Sequence, residues 1–246
     1  MKIQPAIVDG HTRYVLEGLH YLQFLPRFVH LKKAASYFEI GVNKGKSLSR
    51  IHCASVGVDP EFVVEADIIG KKPSLHLFQV KSDEFFASHR LTMFFPKGVD
   101  VAFLDGMHQF EFLLRDFINT EKYTHSDSVI FMHDCLPINA EMAERERRPH
   151  LRKDKELKSY WTGDVWKVLP ILREFRPDLQ VTALNCAPTG LIMVSGSDRA
   201  SSVLHDRYDE IVRRFMAIEL DEESLARFYA DGSIDDAQSC LDQFKH

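Results

Sequence analysis

The stretch Tyr37-Phe38-Glu39-Ile40-Gly41-Val42-Asn43-Lys44-Gly45-Lys46-Ser47 decides the reading. An aromatic and β-branched run breaks off at Gly41, and Gly45 follows four positions later. That is a strand ending in a turn. Two glycines there permit positive φ and let the backbone come close to a ligand. Open α/β sheets bind ligands at the carboxyl ends of such strands. The spacing is neither the GxGxxG of dinucleotide enzymes nor a triphosphate loop, because no glycine stands five positions before Gly45-Lys46-Ser47. The next apolar run ends in Gly57-Val58-Asp59-Pro60. An acid at the tip of a second strand is placed to hold the two hydroxyls of a ribose, although an aspartate before proline also suits a plain turn.

Outward from these two runs the same pattern repeats. Strands are predicted at 37–42, 54–58, 75–80, 99–104, 128–132, 181–184 and 190–195. Most are separated by segments long enough for a helix. This is the pattern of βαβ units, a mostly parallel sheet with helices on both faces. The last two runs are joined only by CAPTG at 186–190, too short for a crossover, so they must be antiparallel. Residues 11–35 predict one or two helices with Pro26 as the break. Residues 163–175 predict an amphipathic helix despite Pro170, with Asp164 as its N-cap. Helical spacing returns over 201–220 and 223–229, and these terminal helices offer either a cover for the core or a homodimer surface.

Composition sets outer limits. The 246 residues are 45% hydrophobic and 27% charged, with a formal charge of −5. This is globular composition and argues against a nucleic-acid partner. No apolar run approaches the ~20 residues of a membrane span, and MKIQPAIVDG lacks the apolar centre of a signal peptide. Cys53, Cys135, Cys186 and Cys240 are dispersed, which fits reduced thiols and a cytoplasmic location. Residues 141–158 carry twelve charges, seven basic and five acidic. They read either as a solvated segment or as a mobile lid over 137–162. The expected organisation is a helical segment at 1–34, a catalytic domain at 35–196 containing that insertion, and a helical tail at 197–246. Glu111 and Asp116 read as exposed helix residues. Trp161 and Trp166 read as a wall of an acceptor pocket or, more simply for Trp166, as core.

Glu39-x-Gly41-x-x-x-Gly45-x-Ser47 with Gly57-Val58-Asp59-Pro60 resembles the donor-binding signature of class I S-adenosylmethionine-dependent methyltransferases. Leu104-Asp105-Gly106-Met107-His108 and Ile130-Phe131-Met132-His133-Asp134 resemble the branch that methylates small-molecule hydroxyls. That branch holds enzymes similar to macrocin O-methyltransferase and, more distantly, catechol O-methyltransferase. Thr162-Gly163-Asp164-Val165-Trp166-Lys167 looks like a further element of it. The resemblance spans residues 35–195. It implies a Rossmann-like, doubly wound sheet of seven strands in the order 3-2-1-4-5-7-6, with strand 7 antiparallel.

The resemblance also implies roles. Gly41 and Gly45 would flank the methionine part of S-adenosylmethionine, with a side chain at Gly41 colliding with that donor. Glu39 would brace the loop and, with Ser47, belong to the donor-binding positions, and Asp59 would hold the ribose. Ser82 and Asp83 match the adenine position, with a helix N-cap as the equal alternative. Asp105 would stand at the reacting centre, and His108 would take the proton of a hydroxylated acceptor. Asp105, His133 and Asp134 match a divalent-metal site. Mg²⁺ prefers oxygen ligands, whereas an imidazole at His133 suits Mn²⁺, Fe²⁺ or Zn²⁺. A softer ion, or no metal, follows. His133 and Asp134 are consecutive, so both reach one ion only if the strand ends between them and the chain turns. Two other readings share this scaffold: a metal-dependent hydroxylase or related enzyme, and a non-catalytic S-adenosylmethionine-binding protein.

Overall fold

Side chains alternate strictly along the central strands, and this alternation sorts the molecule into layers. The computed structural model describes residues 2–245. It runs β1 (Ala6–Val8), β2 (His11–Arg13), α1 (Tyr21–Leu31), β3 (Ser36–Ile40), β4 (Ala54–Val58), β5 (Leu75–Phe78) and α2 (Ser82–Ser88). It continues through β6 (Val101–Leu104), α3 (Phe110–Glu121), β7 (Val129–His133), α4 (Val168–Phe175), β8 (Gln180–Leu184) and β9 (Leu191–Ser195). The chain finishes with α5 (Val203–Asp206), α6 (Tyr208–Met216), α7 (Glu222–Asp231), β10 (Ile234–Asp235) and α8 (Ala237–Asp242).

The large sheet has the order β10-β8-β9-β7-β6-β3-β4-β5. Counted along the seven expected strands this is 3-2-1-4-5-7-6, and β9 is antiparallel to both neighbours. The two-residue β10 adds an eighth strand, parallel to β8. Tyr37, Val101, Phe103, Val129 and Phe131 point to one face and pack with Phe24 and Phe28 of α1 and with Cys240 and Leu241 of α8. Phe38, Ile40, Ala102, Leu104, Ile130 and Met132 point to the other, against α2, α3, α4, α6 and α7. Each buried Phe or Leu contributes roughly 1.5–3 kcal/mol relative to exposure, so both layers hold the strands in register.

That register aligns the tips. Ile40 pairs with Val58 and with Leu104, and Leu104 pairs with Met132. Gly41, Asp59, Asp105 and His133 each come one residue later. They stand in a row along the carboxyl edge.

The flanks differ from the sequence expectation. A β-hairpin precedes α1, turning at Asp9 and Gly10 with φ of 50° and 80°. The positive φ at both positions suits the tight hairpin turns that Asp-Gly favours. Pro26 lies inside α1 and does not break it. Its ring removes the donor for one helical carbonyl, but Phe24, Leu25, Phe28 and Val29 form a buried stripe across that point and hold the helix. Pro170 falls in the first turn of α4, where a missing N–H costs nothing. Glu111 and Asp116 are buried, not exposed: Glu111 faces Arg145, and Asp116 packs beneath Ser82. All four cysteines are free thiols, three of them buried. No described helix is long and apolar enough to cross a membrane.

Candidate active site

The turn after β3 is built by internal hydrogen bonds. Glu39 is fully buried and accepts from the hydroxyls of Tyr37 and Ser47. Burial pushes its carboxyl up to about 8 in spite of those two hydroxyls, which favour the charged form. Gly41 has φ +89°, and a Cβ there would lie 1.9 Å from the Asp105 carbonyl oxygen. Within the chain itself, a side chain here collides with the neighbouring strand tip. Gly41 lets β3 and β6 lie side by side. Gly45 has φ +75° and abuts Ile68.

Asp59 accepts from the backbone N–H of Asn43 and of Glu61, each at 2.8 Å. It joins the glycine turn to the tip of β4. A carboxylate has about four acceptor positions, so capacity remains for two more donors, and Asp59 lines the main cavity. Ser82 and Asp83 open α2 and line the same cavity. Neither is the N-cap, which is Lys81. Asp83 is held by both ends of the Arg115 guanidinium at 3.0 and 2.6 Å, and Ser82 bonds Asp116. Burial drives Asp116 up to about 7 despite that hydroxyl.

The acid and histidine cluster sits at the tips of β6 and β7. β7 ends at His133, and Asp134 turns with φ +61°. That turn brings two consecutive side chains to one place: His133 Nδ1 is 3.2 Å from Asp105 Oδ1 and 3.3 Å from Asp134 Oδ1. His108 joins from the loop after β6, with Nε2 at 3.7 Å from Asp105 Oδ1 and Nδ1 at 3.4 Å from Asp134 Oδ2. Burial alone would raise Asp105, but the facing His133 and His108 outweigh it and hold the carboxyl well below its usual range. Burial alone would lower both imidazoles. The hydrogen bond to Asp105 and the charge of Asp134 instead push His108 up to about 9, and Asp134 with Asp105 raise His133.

Asp105, His108 and Asp134 offer ligand atoms lying within 4.8 Å of one another. His133, expected among the ligands, turns Nδ1 to Asp105, and its Nε2 is buried without a partner. Sequence reasoning missed two supports of this cluster. Thr189, in the short β8–β9 connection, donates its hydroxyl to Asp134. Tyr21, at the start of α1, packs its ring 4.1 Å from that of His133 and lines the cavity. Neither residue type in such surroundings gives a signal in the sequence.

Residues 137–162 pack against this edge. Arg13 of β2 holds Asp154 through two bonds at 2.8 and 2.7 Å, and both residues are buried. Arg145 reaches Glu111 and Asp164. Asp164, expected to cap its own helix, makes no such bond. Its Oδ1 accepts instead from Phe110 N–H, at the start of α3, at 2.9 Å. Trp166 is buried, and Trp161 stacks on His108. A single cavity of about 870 Å³ runs from Asp59 and Ser82 past Gly41 to Asp105, His108 and Tyr21. That volume suits a drug-sized ligand with room beside it.

Residues 38–135 match the family described as a methyltransferase domain. No curated protein matches the sequence. Among solved structures, the chain is similar to a methyltransferase of Podospora anserina bound to S-adenosylhomocysteine. Identity is 13%, covering 72% of this chain and 78% of that one, with a TM-score of 0.50. An O-methyltransferase of Bacillus cereus, also with S-adenosylhomocysteine, shows 16% identity over 71% and 79% at a TM-score of 0.46. TomG of Streptomyces achromogenes, an O-methyltransferase of tomaymycin synthesis solved with S-adenosylmethionine, shows 14% identity over 72% and 80% at 0.49. The chain shares the Rossmann-like fold of the Podospora methyltransferase.

Proposed function

We propose that this chain, whose fold and central domain are those of a methyltransferase, moves a methyl group from S-adenosylmethionine to a hydroxyl of a small molecule. The observation that carries the reading is the row of strand tips. One cavity joins a glycine turn and the buried Asp59 to a cluster of acids and histidines. Bound there, S-adenosylmethionine supplies an electrophilic methyl on a positively charged sulfonium. Asp59 offers its spare acceptor positions to the ribose diol, and Ser82 and Asp83 stand at the adenine end. Glu39 and Ser47 keep the glycine turn in shape. The protein's main contribution is alignment, which can supply several kcal/mol of the barrier.

His108, the imidazole at the cavity, serves as general base in the form that has released its second proton; Asp105 and Asp134 hold that proton up to about pH 9, so turnover should rise as the pH approaches that value. Asp105 and Asp134 hold the ring by charge. The same donor set fits a divalent ion: two carboxylates and one imidazole suit Mn²⁺ or Fe²⁺ better than Mg²⁺. Asp105, Asp134 and His108 would hold it, with His133 supporting Asp105. The chemistry such an ion would supply there is a lowered pKa for an adjacent hydroxyl. The test compares wild type with His108→Gln, using labelled S-adenosylmethionine and a set of small hydroxylated acceptors, with S-adenosylhomocysteine affinity measured beside it. General bases contribute ~10²–10⁴-fold. A loss of that order with donor affinity kept is expected, and undiminished turnover overturns the role.

A further inference from the structure

We infer that the outer edge of β5 is an interface with a second copy of this chain, the two β5 strands pairing antiparallel about a two-fold axis through His76. β5 closes one side of the large sheet and pairs only with β4. The carbonyls of Ser74 and Phe78 accept from the N–H groups of Ser55 and Asp59, at 3.0 and 3.1 Å. In a parallel ladder a residue gives both backbone groups to one side, and the next residue gives both to the other. His76 therefore turns to β4 like Ser74 and Phe78. Leu75 and Leu77 aim their N–H and C=O groups away from the sheet. Among the described residues no hydrogen bond reaches those groups.

These outward groups are self-complementary. Opposite residues of an antiparallel pair alternate between pairs that exchange both N–H···O bonds and pairs that exchange none. With the axis at His76, Leu75 meets the partner's Leu77, and Leu77 meets the partner's Leu75. Both are exchanging pairs, so every outward group of the two strands is used. The two His76 residues face each other as the pair that exchanges none. Chains that stay single guard an open edge with lysine, proline, a bulge or a very short strand. β10, at the far side of the sheet, has two residues and ends in Asp235. β5 has no such guard: Leu75-His76-Leu77-Phe78 holds no lysine, acid or proline, and its register with β4 is unbroken. Apolar surface lies beside it. Leu77 is 41% exposed, and Met93 is 69% exposed next to Phe94, whose ring lies 4.7 Å from that of His76. An edge with neither acid nor lysine offers nothing to a charged partner, and two identical copies meet on it without repulsion. Antiparallel pairing points the two carboxyl edges in opposite directions, so both cavities stay open, and the inference stands apart from the methyltransferase reading.

Sedimentation of the full chain, from nanomolar to tens of micromolar, is expected to show a concentration-dependent dimer. Leu75→Pro, at the first position of the strand, removes an outward N–H and spares the β4 ladder. Half of the bonds across the axis are lost, and the dimer is expected to weaken about tenfold with thermal unfolding near wild type. His76→Glu and His76→Lys each set like charges opposite one another and weaken the dimer severalfold. An equimolar mixture of these two variants sets opposite charges face to face and is expected to restore it. A wild type that stays monomeric over the whole range overturns the inference. So does a dimer that a folded Leu75→Pro and both charge variants leave intact, which would place the contact on another face, such as the terminal helices. Should Leu75→Pro fail to fold, the charge variants decide: a mixture no tighter than either variant alone overturns the antiparallel pairing.

Discussion

Replacing Gly41 by alanine tests how the strand tips are held. The added Cβ meets three backbone atoms of the neighbouring tip: the Asp105 oxygen at 1.9 Å, the Asp105 carbon at 2.4 Å and the Gly106 nitrogen at 2.8 Å. Backbone atoms cannot swing aside as a side chain can. Relief requires β3 and β6 to part, which strains the bond from Asp105 N to Ile40 O at 2.9 Å. Residence at φ +89° adds ~1–3 kcal/mol for a non-glycine residue. Overpacking adds another ~1–3 kcal/mol. The sum, about 2–6 kcal/mol, is a large part of the ~5–15 kcal/mol that holds a typical protein folded. Gly196→Ala is the control, since its φ is +72° but nothing lies within 4 Å of the added Cβ. Urea unfolding of both variants measures the difference, with Gly41→Ala expected to be the weaker by at least ~1 kcal/mol. Equal stabilities would refute the argument that Gly41 exists for strand approach. Weakened donor binding by Gly41→Ala would then follow from displaced tips.

Glu39→Gln replaces a buried acid whose folded pKa, about 8, lies above its unfolded value of 4.5. Such a group binds more protons when folded, so wild-type stability should fall as pH rises from 4.5 through 8, at up to about 1.4 kcal/mol per pH unit. Thermal or urea unfolding across that range should show the variant lacking this slope, and parallel curves would contradict it. Arg13→Ala removes the counter-charge of Asp154 and leaves it Asn139 and Leu157 as donors, a loss of ~1.5–3 kcal/mol for hydrogen bonds to a charged group. Amide exchange over 137–162 should quicken while the sheet stays protected, and unaltered exchange there would reduce the pair to surface decoration. Asp134→Ala should weaken Mn²⁺ binding, followed by titration calorimetry, by more than the ~10–100-fold typical of outer-shell partners. Unchanged affinity would leave His108 and Asp105 as a metal-free pair.

The sheet was legible because its strands are apolar runs closed by glycine or aspartate, as at Ile40-Gly41 and Val58-Asp59. The order of seven strands followed from the resemblance, and the CAPTG connection fixed the antiparallel pair. β10 was invisible: two residues, Ile234–Asp235, carry no periodicity. The first hairpin was readable from Asp9-Gly10 but was masked by apolar residues that suggested a helix. Pro26 misled because a proline's local cost was weighed without the stripe of phenylalanines that α1 buries. Glu111 and Asp116 looked exposed because acids on a helix usually are; Arg145 and Ser82, distant in sequence, account for their burial. At the site, the histidines and acids stood out by position after strands. Their supports did not. Thr189, Tyr21 and Trp161 act through a hydroxyl and two rings, and such groups are everywhere in a sequence.

The most direct measurement is titration calorimetry of the chelator-treated protein with S-adenosylhomocysteine, repeated on Asp59→Ala. The cavity proposed for the donor is lined by Gly41, Asp59, Ser82 and their neighbours. One site per chain is expected, with affinity reduced in the variant by roughly 1–3 kcal/mol for the lost charge-assisted bonds. NAD titrated into the same protein should give no heat. Binding of NAD with no binding of S-adenosylhomocysteine would contradict the account at its centre.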